Sequence, residues 1–169
     1  TLLYDLYETD QIKNKMYPSR HIILGALFSA VLFFIFPEIG ILNAGIIFLS
    51  SVLIDVDHYL YYVYKKKDWS LIRAYRWFME IEKKWFSLSR KKRNGFYDGF
   101  YCLHGIELLI TLLLFSFFFK YFFFIFIGVA FHLILDIVNQ TVYWDRIDKF
   151  SFVHDFIKSK KLKLVWDND

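Results

Sequence analysis

The charged residues of this chain are kept apart from two long apolar stretches, at residues 21–63 and 100–142. Hydrophobic residues make up 57% of the 169 positions and aromatic residues 22%, which is outside the usual range of a soluble single domain. This segregation is typical of a chain whose helices cross a lipid bilayer. It predicts one domain over residues 1–169 that is all-α and integral to a membrane.

Breaks within the two stretches set the limits of the predicted spans. Pro37-Glu38-Ile39-Gly40 is a cluster of helix breakers that divides the first stretch. As one helix, the second stretch would be roughly 64 Å long, about twice the hydrocarbon core, so it must reverse. Lys120, within SFFFKYFFF, is the expected point of reversal. The prediction is a four-helix bundle with spans at about 21–36, 41–64, 100–119 and 121–143.

The segment 69–93, between the second and third spans, alternates apolar and charged residues at helical spacing. It is predicted to be an amphipathic helix at the membrane interface, with its tryptophans in the headgroup layer. A helix packed on the bundle needs the same apolar stripe and is the alternative. The tail at 144–169 contains KSKKLKL at 158–164 and is predicted to be a second, basic segment on the membrane surface.

The basic residues predict how the bundle is oriented. Eleven of the 21 Lys and Arg residues lie between 65 and 93, whereas the turns at Pro37–Gly40 and Lys120 contain almost none. By the positive-inside rule, both termini and the middle loop of this multi-pass protein face the cytoplasm. The expected partners are membrane lipid and anionic headgroups rather than nucleic acid. A single Cys102 excludes an internal disulfide and a cysteine zinc cluster, and the oligomeric state stays open.

Nearly all the ionisable residues inside the predicted spans fall at one end of the bundle. With four spans running up and down, the eight residues lie at the cytoplasmic ends of their helices. Ionisable groups in a bilayer cost a few kcal/mol each unless they face the interior with partners, so they are candidates for function. The eight are His21, Asp55, Asp57, His58, His104, Glu107, His132 and Asp136.

The spacing of these residues places them in pairs on shared helix faces. His132 and Asp136 are four residues apart, and His104 and Glu107 are three apart. Asp55 and His58 can also share a face, whereas Asp57 projects elsewhere unless the helix unwinds there. Imidazole and carboxylate without thiolate suit a catalytic zinc, or manganese or iron. Eight candidates allow one or two divalent ions.

This pattern resembles the small membrane-bound metal-dependent hydrolases of bacteria and archaea, the YdjM-like inner-membrane hydrolases. The resemblance lies in four segments, in the same order and on the spans. LIDVDH at 53–58 is similar to the family's Pro-Asp-hydrophobic-Asp-His, with Ile54 in place of the proline. The other segments are His21 followed by ILGAL, LHGIE at 103–107, and GVAFHLILD at 128–136, which also looks loosely like a helix of zinc-dependent phospholipases C.

The resemblance implies a metal-dependent hydrolase that acts on a phosphate ester at the cytoplasmic membrane face, with a lipid phosphate or phospholipid as substrate. The alternative is a non-enzymatic membrane protein that binds or transports a metal. A membrane lipid transferase is a third reading, although the motif of the alcohol-phosphate transferases is missing.

The expected roles of the eight residues differ. The ligands expected to bind the metal directly are His104, His132, Asp136 and Asp57. Asp55 and His58 are expected to bind the metal or to hold its ligands, with Asp55 also a catalytic candidate. Glu107 is the expected general base or a further ligand, and His21 is the remaining ligand candidate.

The charge bias makes the orientation testable. Accessibility tags at residues 1 and 169 and within the 65–98 loop should all report the cytoplasmic side, because the Lys and Arg bias is one-sided. Tags at residues 1 and 169 that report opposite sides would rule out four spans, and with them the convergence of the eight residues.

Overall fold

The computed structural model describes residues 18–97, 99–144 and 150–164, and most of these residues are helical, which confirms the all-α prediction. Residues 1–17, 98, 145–149 and 165–169 lie outside the described residues. They include residues 1 and 169, where the accessibility tags would be placed. In chain order the elements are α1 (Pro18–Ile35), a 3-10 turn (Pro37–Ile39), α2 (Gly40–Leu53), α3 (Val56–Lys66), α4 (Leu71–Ser87), α5 (Arg90–Arg93), β1 (Phe96–Tyr97), α6 (Ile106–Ser116), α7 (Lys120–Asn139), a π turn (Gln140–Trp144), α8 (Phe152–Lys161) and β2 (Lys163–Leu164).

Helix α2 lies at the centre of the apolar part of the fold. It packs against α1 on one side and α7 on the other, and α6 packs against α7. Two glycines allow these close approaches. A Cβ on Gly128 of α7 would overlap the carbonyl oxygen of Ile47 in α2, and a Cβ on Gly25 of α1 would overlap the hydroxyl of Ser51. Small residues at such crossings are a common way to pack helices in membranes.

A second core lies beside the helical bundle. It joins α3 to α4, to the segment before α6 and to β2 through Tyr61, Trp77, Tyr101 and Leu164. β2 pairs in parallel with β1, with Phe96 opposite Lys163. Since Asp57 and His58 belong to the first turn of α3, the two cores meet near these residues.

Two helical segments are long and apolar enough to cross a membrane, namely Pro37–Lys66 and Lys120–Val142. Only 22% of the most apolar window of each is buried inside the protein. Ser19–Ile35 is a shorter apolar helix. The outer surface of the bundle is therefore apolar, and this supports an association with a membrane.

The helix predicted over 100–119 begins only at Ile106. The 11 residues of α6 are about 16 Å long, roughly half the thickness of the hydrocarbon core. The preceding segment is not helical, because the backbone N–H of Leu103 donates a hydrogen bond to Asp57 Oδ2 (2.8 Å). The predicted reversal near Lys120 is present, since α6 ends at Ser116 and α7 begins at Lys120.

The amphipathic segment forms α4, and its apolar stripe packs against the protein. Ala74, Trp77, Ile81 and Trp85 are all buried, at the spacing of one helix face. The structure thus agrees with the packed alternative for this stripe. Trp69, just before the helix, is exposed and remains available to an interface.

A hydrogen-bonded aspartate orients α4 against α3. The carboxylate of Asp68 accepts hydrogen bonds from Arg73 Nε (2.5 Å) and Nη2 (2.7 Å) and from the hydroxyl of Tyr62. The hydrogen-bonded guanidinium of Arg73 holds the pKa of Asp68 well below its usual range. Ser70 caps the helix by accepting a bond from the N–H of Arg73 (3.4 Å).

We expect Gly128→Ala to destabilise the fold, because the added methyl group would force α7 away from Ile47. Overpacking of this kind costs about 1–3 kcal/mol. Gly45→Ala in α2 is the matched control, since nothing lies within 4 Å of its Cβ position. Thermal unfolding in detergent should show a lower midpoint for Gly128→Ala only. Equal midpoints for both variants would contradict the close crossing.

Candidate metal centre

The centre begins with a break in the helical hydrogen bonding between α2 and α3. The N–H of Asp55 bonds to the carbonyl of Val52 (3.4 Å), whereas in a regular helix it would bond to that of Ser51. The N–H of Asp57 likewise bonds three residues back, to Ile54 (3.4 Å). The unwinding on which the position of Asp57 depended is therefore present. It frees the carbonyl of Ser51 from its usual partner.

The freed carbonyl of Ser51 holds His132. His132 Nδ1 donates a hydrogen bond to this oxygen across 2.7 Å, and the imidazole is buried. A carbonyl can only accept, so Nδ1 must hold the proton. In the neutral ring, Nε2 then presents a lone pair to the inside of the cluster.

Asp57 holds a second histidine in the same way. Its Oδ2 accepts hydrogen bonds from His104 Nδ1 (3.0 Å) and the N–H of Leu103, and its Oδ1 accepts from His58 Nδ1 (2.8 Å). The protonated Nδ1 of His104 leaves its Nε2 as an acceptor. A carboxylate that orients the imidazole in this manner is the usual support of a metal-bound histidine.

The two bare Nε2 atoms and two carboxylates form a closed cage of four donors. Asp55 Oδ1 lies 3.4 Å from Nε2 of both His104 and His132. Asp136 Oδ2 lies 3.5 Å from the same two atoms. In a tetrahedral zinc site with bonds of 2.0–2.2 Å, neighbouring ligand atoms are about 3.3–3.6 Å apart. The four distances therefore match four of the six edges of such a site.

Direct hydrogen bonds explain the four distances in the cage less well than metal coordination does. The four distances exceed the 2.7–3.2 Å of an N–H···O hydrogen bond. Among the described residues, neither Nε2 has a hydrogen-bond partner, although both atoms are buried. Leaving such groups unpaired costs about 1–3 kcal/mol each, so these atoms point to a missing ligand. The donor set therefore fits a divalent ion.

Asp136 also reaches a third histidine. His21 Nε2 lies 3.5 Å from Asp136 Oδ1, the carboxylate oxygen that is not part of the cage. The ring of His21 stacks on that of His132 with centroids 4.4 Å apart. By its two oxygens Asp136 can thus serve one or two ions, and His21 belongs to the group of residues that could hold a metal.

The structure brings seven of the eight predicted residues together, with different roles. Asp57 was expected to bind the metal directly, but both of its oxygens accept hydrogen bonds, so it supports the histidines from behind. Asp55 lies in the cage position that was expected for Asp57. His58 is close to Asp55 (3.7 Å) but bonds to Asp57, and its ring stacks on Tyr101. The group of Asp55, His58 and His104 could also hold an ion.

Glu107 is the predicted residue that lies elsewhere. Its Oε1 accepts from the hydroxyl of Ser151 (2.5 Å), and its Oε2 accepts from the N–H of Phe152 (2.9 Å). The carboxylate therefore caps the N-terminus of α8, where negative charge is favoured. This contradicts the expectation that Glu107 is the general base of the centre, because its oxygens are already used.

Two functional groups were not expected from the sequence. The carbonyl of Ser51 and the N–H of Leu103 are backbone atoms, which no side-chain pattern marks. The signal for Ser51 was a polar pair, Ser50-Ser51, in an otherwise apolar run two turns from His58. No family model, no curated protein and no solved structure matches this chain.

We expect His132→Ala to remove tightly bound metal, because it deletes one of the four cage donors. Loss of a supporting residue typically lowers metal affinity 10–100-fold, and loss of a ligand should lower it by at least ~100-fold. His154→Ala is the control, since this side chain is 55% exposed on α8. Metal content by mass spectrometry, together with thermal unfolding, gives the readout. Full metal occupancy in His132→Ala would show that His132 is not a ligand and would overturn the four-donor cage.

Proposed function

We propose that this protein is a membrane-embedded, metal-dependent hydrolase of phosphate esters, with a lipid phosphate or phospholipid as substrate. The observation that carries the proposal is the cage of His104, His132, Asp55 and Asp136, whose two buried Nε2 atoms have no hydrogen-bond partner among the described residues. The resemblance of LIDVDH and GVAFHLILD to membrane-bound hydrolases supports the same reaction class.

The cage would hold one divalent ion, and zinc suits its two imidazoles and two carboxylates, with manganese or iron as alternatives. A bound ion of this kind supplies Lewis-acid chemistry, by lowering the pKa of water towards neutrality and offsetting charge on a phosphoryl group. This chemistry requires no serine or cysteine nucleophile. His21 and the second oxygen of Asp136 would provide donors for a second ion.

The protein's own residues divide the remaining tasks. Asp57 and the carbonyl of Ser51 fix the Nδ1 protons of His104 and His132, which keeps both Nε2 atoms turned inward. Asp55 is the most exposed member of the cage, with 34% of its side chain accessible, compared with 15% for Asp136. It is therefore the carboxylate next to which water and substrate would enter, and the best-placed proton acceptor.

The accessible side of Asp55 lies near exposed apolar side chains, which favours an amphiphilic substrate. Leu53, two residues before Asp55, and Val56, directly after it, are exposed apolar side chains, with 55% and 42% of their surface accessible, whereas Ile54 between them is buried. A phosphate group bound at the cage would thus have apolar surface next to it, which suits a lipid chain. Apolar surface around the bundle puts such a substrate within reach in the bilayer.

We infer that the bundle lies in the cytoplasmic membrane with the cage at its cytoplasmic end. Helix α7 and the α2–α3 segment would cross the bilayer, and α1 would accompany them as a third span. The short α6 would complete a fourth span only together with the non-helical segment before it. Lys65, Lys66 and Lys67, which follow the cage on α3, fit the cytoplasmic side.

The activity can be tested on protein stripped of metal and returned to lipid nanodiscs. Adding zinc should restore phosphate release from a lipid phosphate, and release from a short soluble phosphate ester should be much slower. Asp136→Asn should lower the rate at least ~100-fold, because it replaces an anionic ligand of the cage with a neutral, weaker one. Glu38→Gln, an exposed carboxylate in the turn at the opposite end of α2, is the control.

Two results would count against a hydrolase. Tight metal binding without phosphate release from any ester would leave the non-enzymatic, metal-binding alternative. Equal loss of rate in Asp136→Asn and Glu38→Gln would show that the effect is not specific to the cage.

A further inference from the structure

Helix α8 is amphipathic in the reverse of the usual sense. Its acidic residue Asp155 is buried at 7% exposure, whereas its large apolar side chains face outward. A surface helix of a protein in water turns its apolar stripe towards the core. The outward apolar residues are Phe152, Val153, Phe156 and Ile157, with exposures between 39% and 55%.

The four side chains form one continuous face. Positions i, i+1, i+4 and i+5 are adjacent on an α-helix, so they lie on one side of α8. Phe150, just before the helix, is 50% exposed and extends this apolar patch. A contiguous exposed patch of this kind marks a contact with another apolar phase or molecule.

The charges around the patch indicate which contact it is. The last turn of α8 contains Lys158, Lys160 and Lys161, and Lys163 follows in β2. The ammonium group of Lys160 lies 5.4 Å from the ring centroid of Phe156, so charge and apolar surface are next to each other. Aromatic and aliphatic residues flanked by lysines suit the headgroup layer of an anionic membrane.

The position of α8 in the fold agrees with such a contact. Phe150 accepts a hydrogen bond from the N–H of Ile106 (2.9 Å), and Glu107 accepts from the N–H of Phe152. These bonds fix the start of α8 to the first turn of α6, an apolar helix. The helix therefore lies where the apolar bundle ends, next to the segment that presents His104.

We propose that α8 binds the surface of an anionic membrane, with Phe152, Val153, Phe156 and Ile157 inserted among the lipids. The contact goes beyond the proposed hydrolase activity and requires no bound metal. Through Glu107 and Ile106, it anchors the segment that presents His104 at the membrane surface.

Spin labels at two adjacent positions of α8 test this contact. In the full chain carrying Cys102→Ala, one label is attached at Val153→Cys, on the apolar face, and the other at His154→Cys, which faces away from it. In nanodiscs containing phosphatidylglycerol, oxygen should relax the label at 153 more than an aqueous nickel chelate does. The label at 154 should respond in the opposite way.

Three outcomes would overturn the proposal. Equal access of the nickel chelate to both positions would show that the apolar face is in water. Dipolar broadening at 153 that disappears on dilution with unlabelled protein would show that a second copy covers it. An unchanged depth at 153 in nanodiscs of zwitterionic lipid would exclude a role for the lysines. None of these readouts depends on activity, so failure here is separate from failure of the hydrolase proposal.

Discussion

The interruption of helical hydrogen bonding at Asp55 is the local feature on which the centre depends. The N–H groups of Asp55, Asp57 and His58 bond three residues back, and this leaves the carbonyl of Ser51 available to His132. The same irregularity turns Asp57 inward while Asp55 still faces the cage. A regular helix would place these two carboxylates on different faces and keep the Ser51 carbonyl within its own ladder. One local change in backbone geometry therefore positions three members of the centre.

Burial of these ionisable groups is energetically costly. Ionisable groups among apolar helices are tolerated only with partners, and here the partners are mostly backbone or neighbouring side chains. Asp57 accepts three hydrogen bonds and is fully supported. His104 and His132 are each supported at Nδ1 and bare at Nε2. This arrangement suits metal binding, because the hydrogen bond at Nδ1 prevents rotation of each imidazole while Nε2 stays available to an ion.

The helices of the protein differ in whether their apolar side chains face outward or inward. Most exposed side chains of α1, α2 and α7 are apolar, whereas α4 turns its apolar stripe inward and α8 turns its stripe outward. Helix α4 buries its apolar stripe within the protein by packing against α3. In α8 the buried side chain is Asp155, and the apolar side stays largely exposed apart from the contacts of Phe152 and Phe156 with Phe100. Two amphipathic helices of similar composition thus have opposite orientations, and the difference comes from what each one packs against.

Much of the fold follows from the sequence, because apolar runs and helix breakers act locally. The turn at Pro37, the reversal near Lys120 and the shared face of His132 and Asp136 could all be predicted. The apolar stripe of α4 was also visible in the sequence, but its tryptophans were expected in the headgroup layer, whereas Trp77 and Trp85 are buried inside the protein. The convergence of the histidines and aspartates at one end also followed from counting apolar segments. Helix α6 was predicted too long, because the hydrogen bond from Leu103 to Asp57 competes with helical bonding.

Only the tertiary structure decided what each acidic residue does. Asp55 and Asp57 are two positions apart and chemically identical, yet one faces the cage and the other supports the histidines. Glu107 lies three residues after His104, where a ligand or base could lie, but its carboxylate accepts hydrogen bonds from the N-terminus of α8. The sequence by itself determined which residues gather at this end of the bundle. Which oxygen atoms remain available depends on N–H groups and hydroxyls from distant segments, and these meet the carboxylates only after the chain has folded.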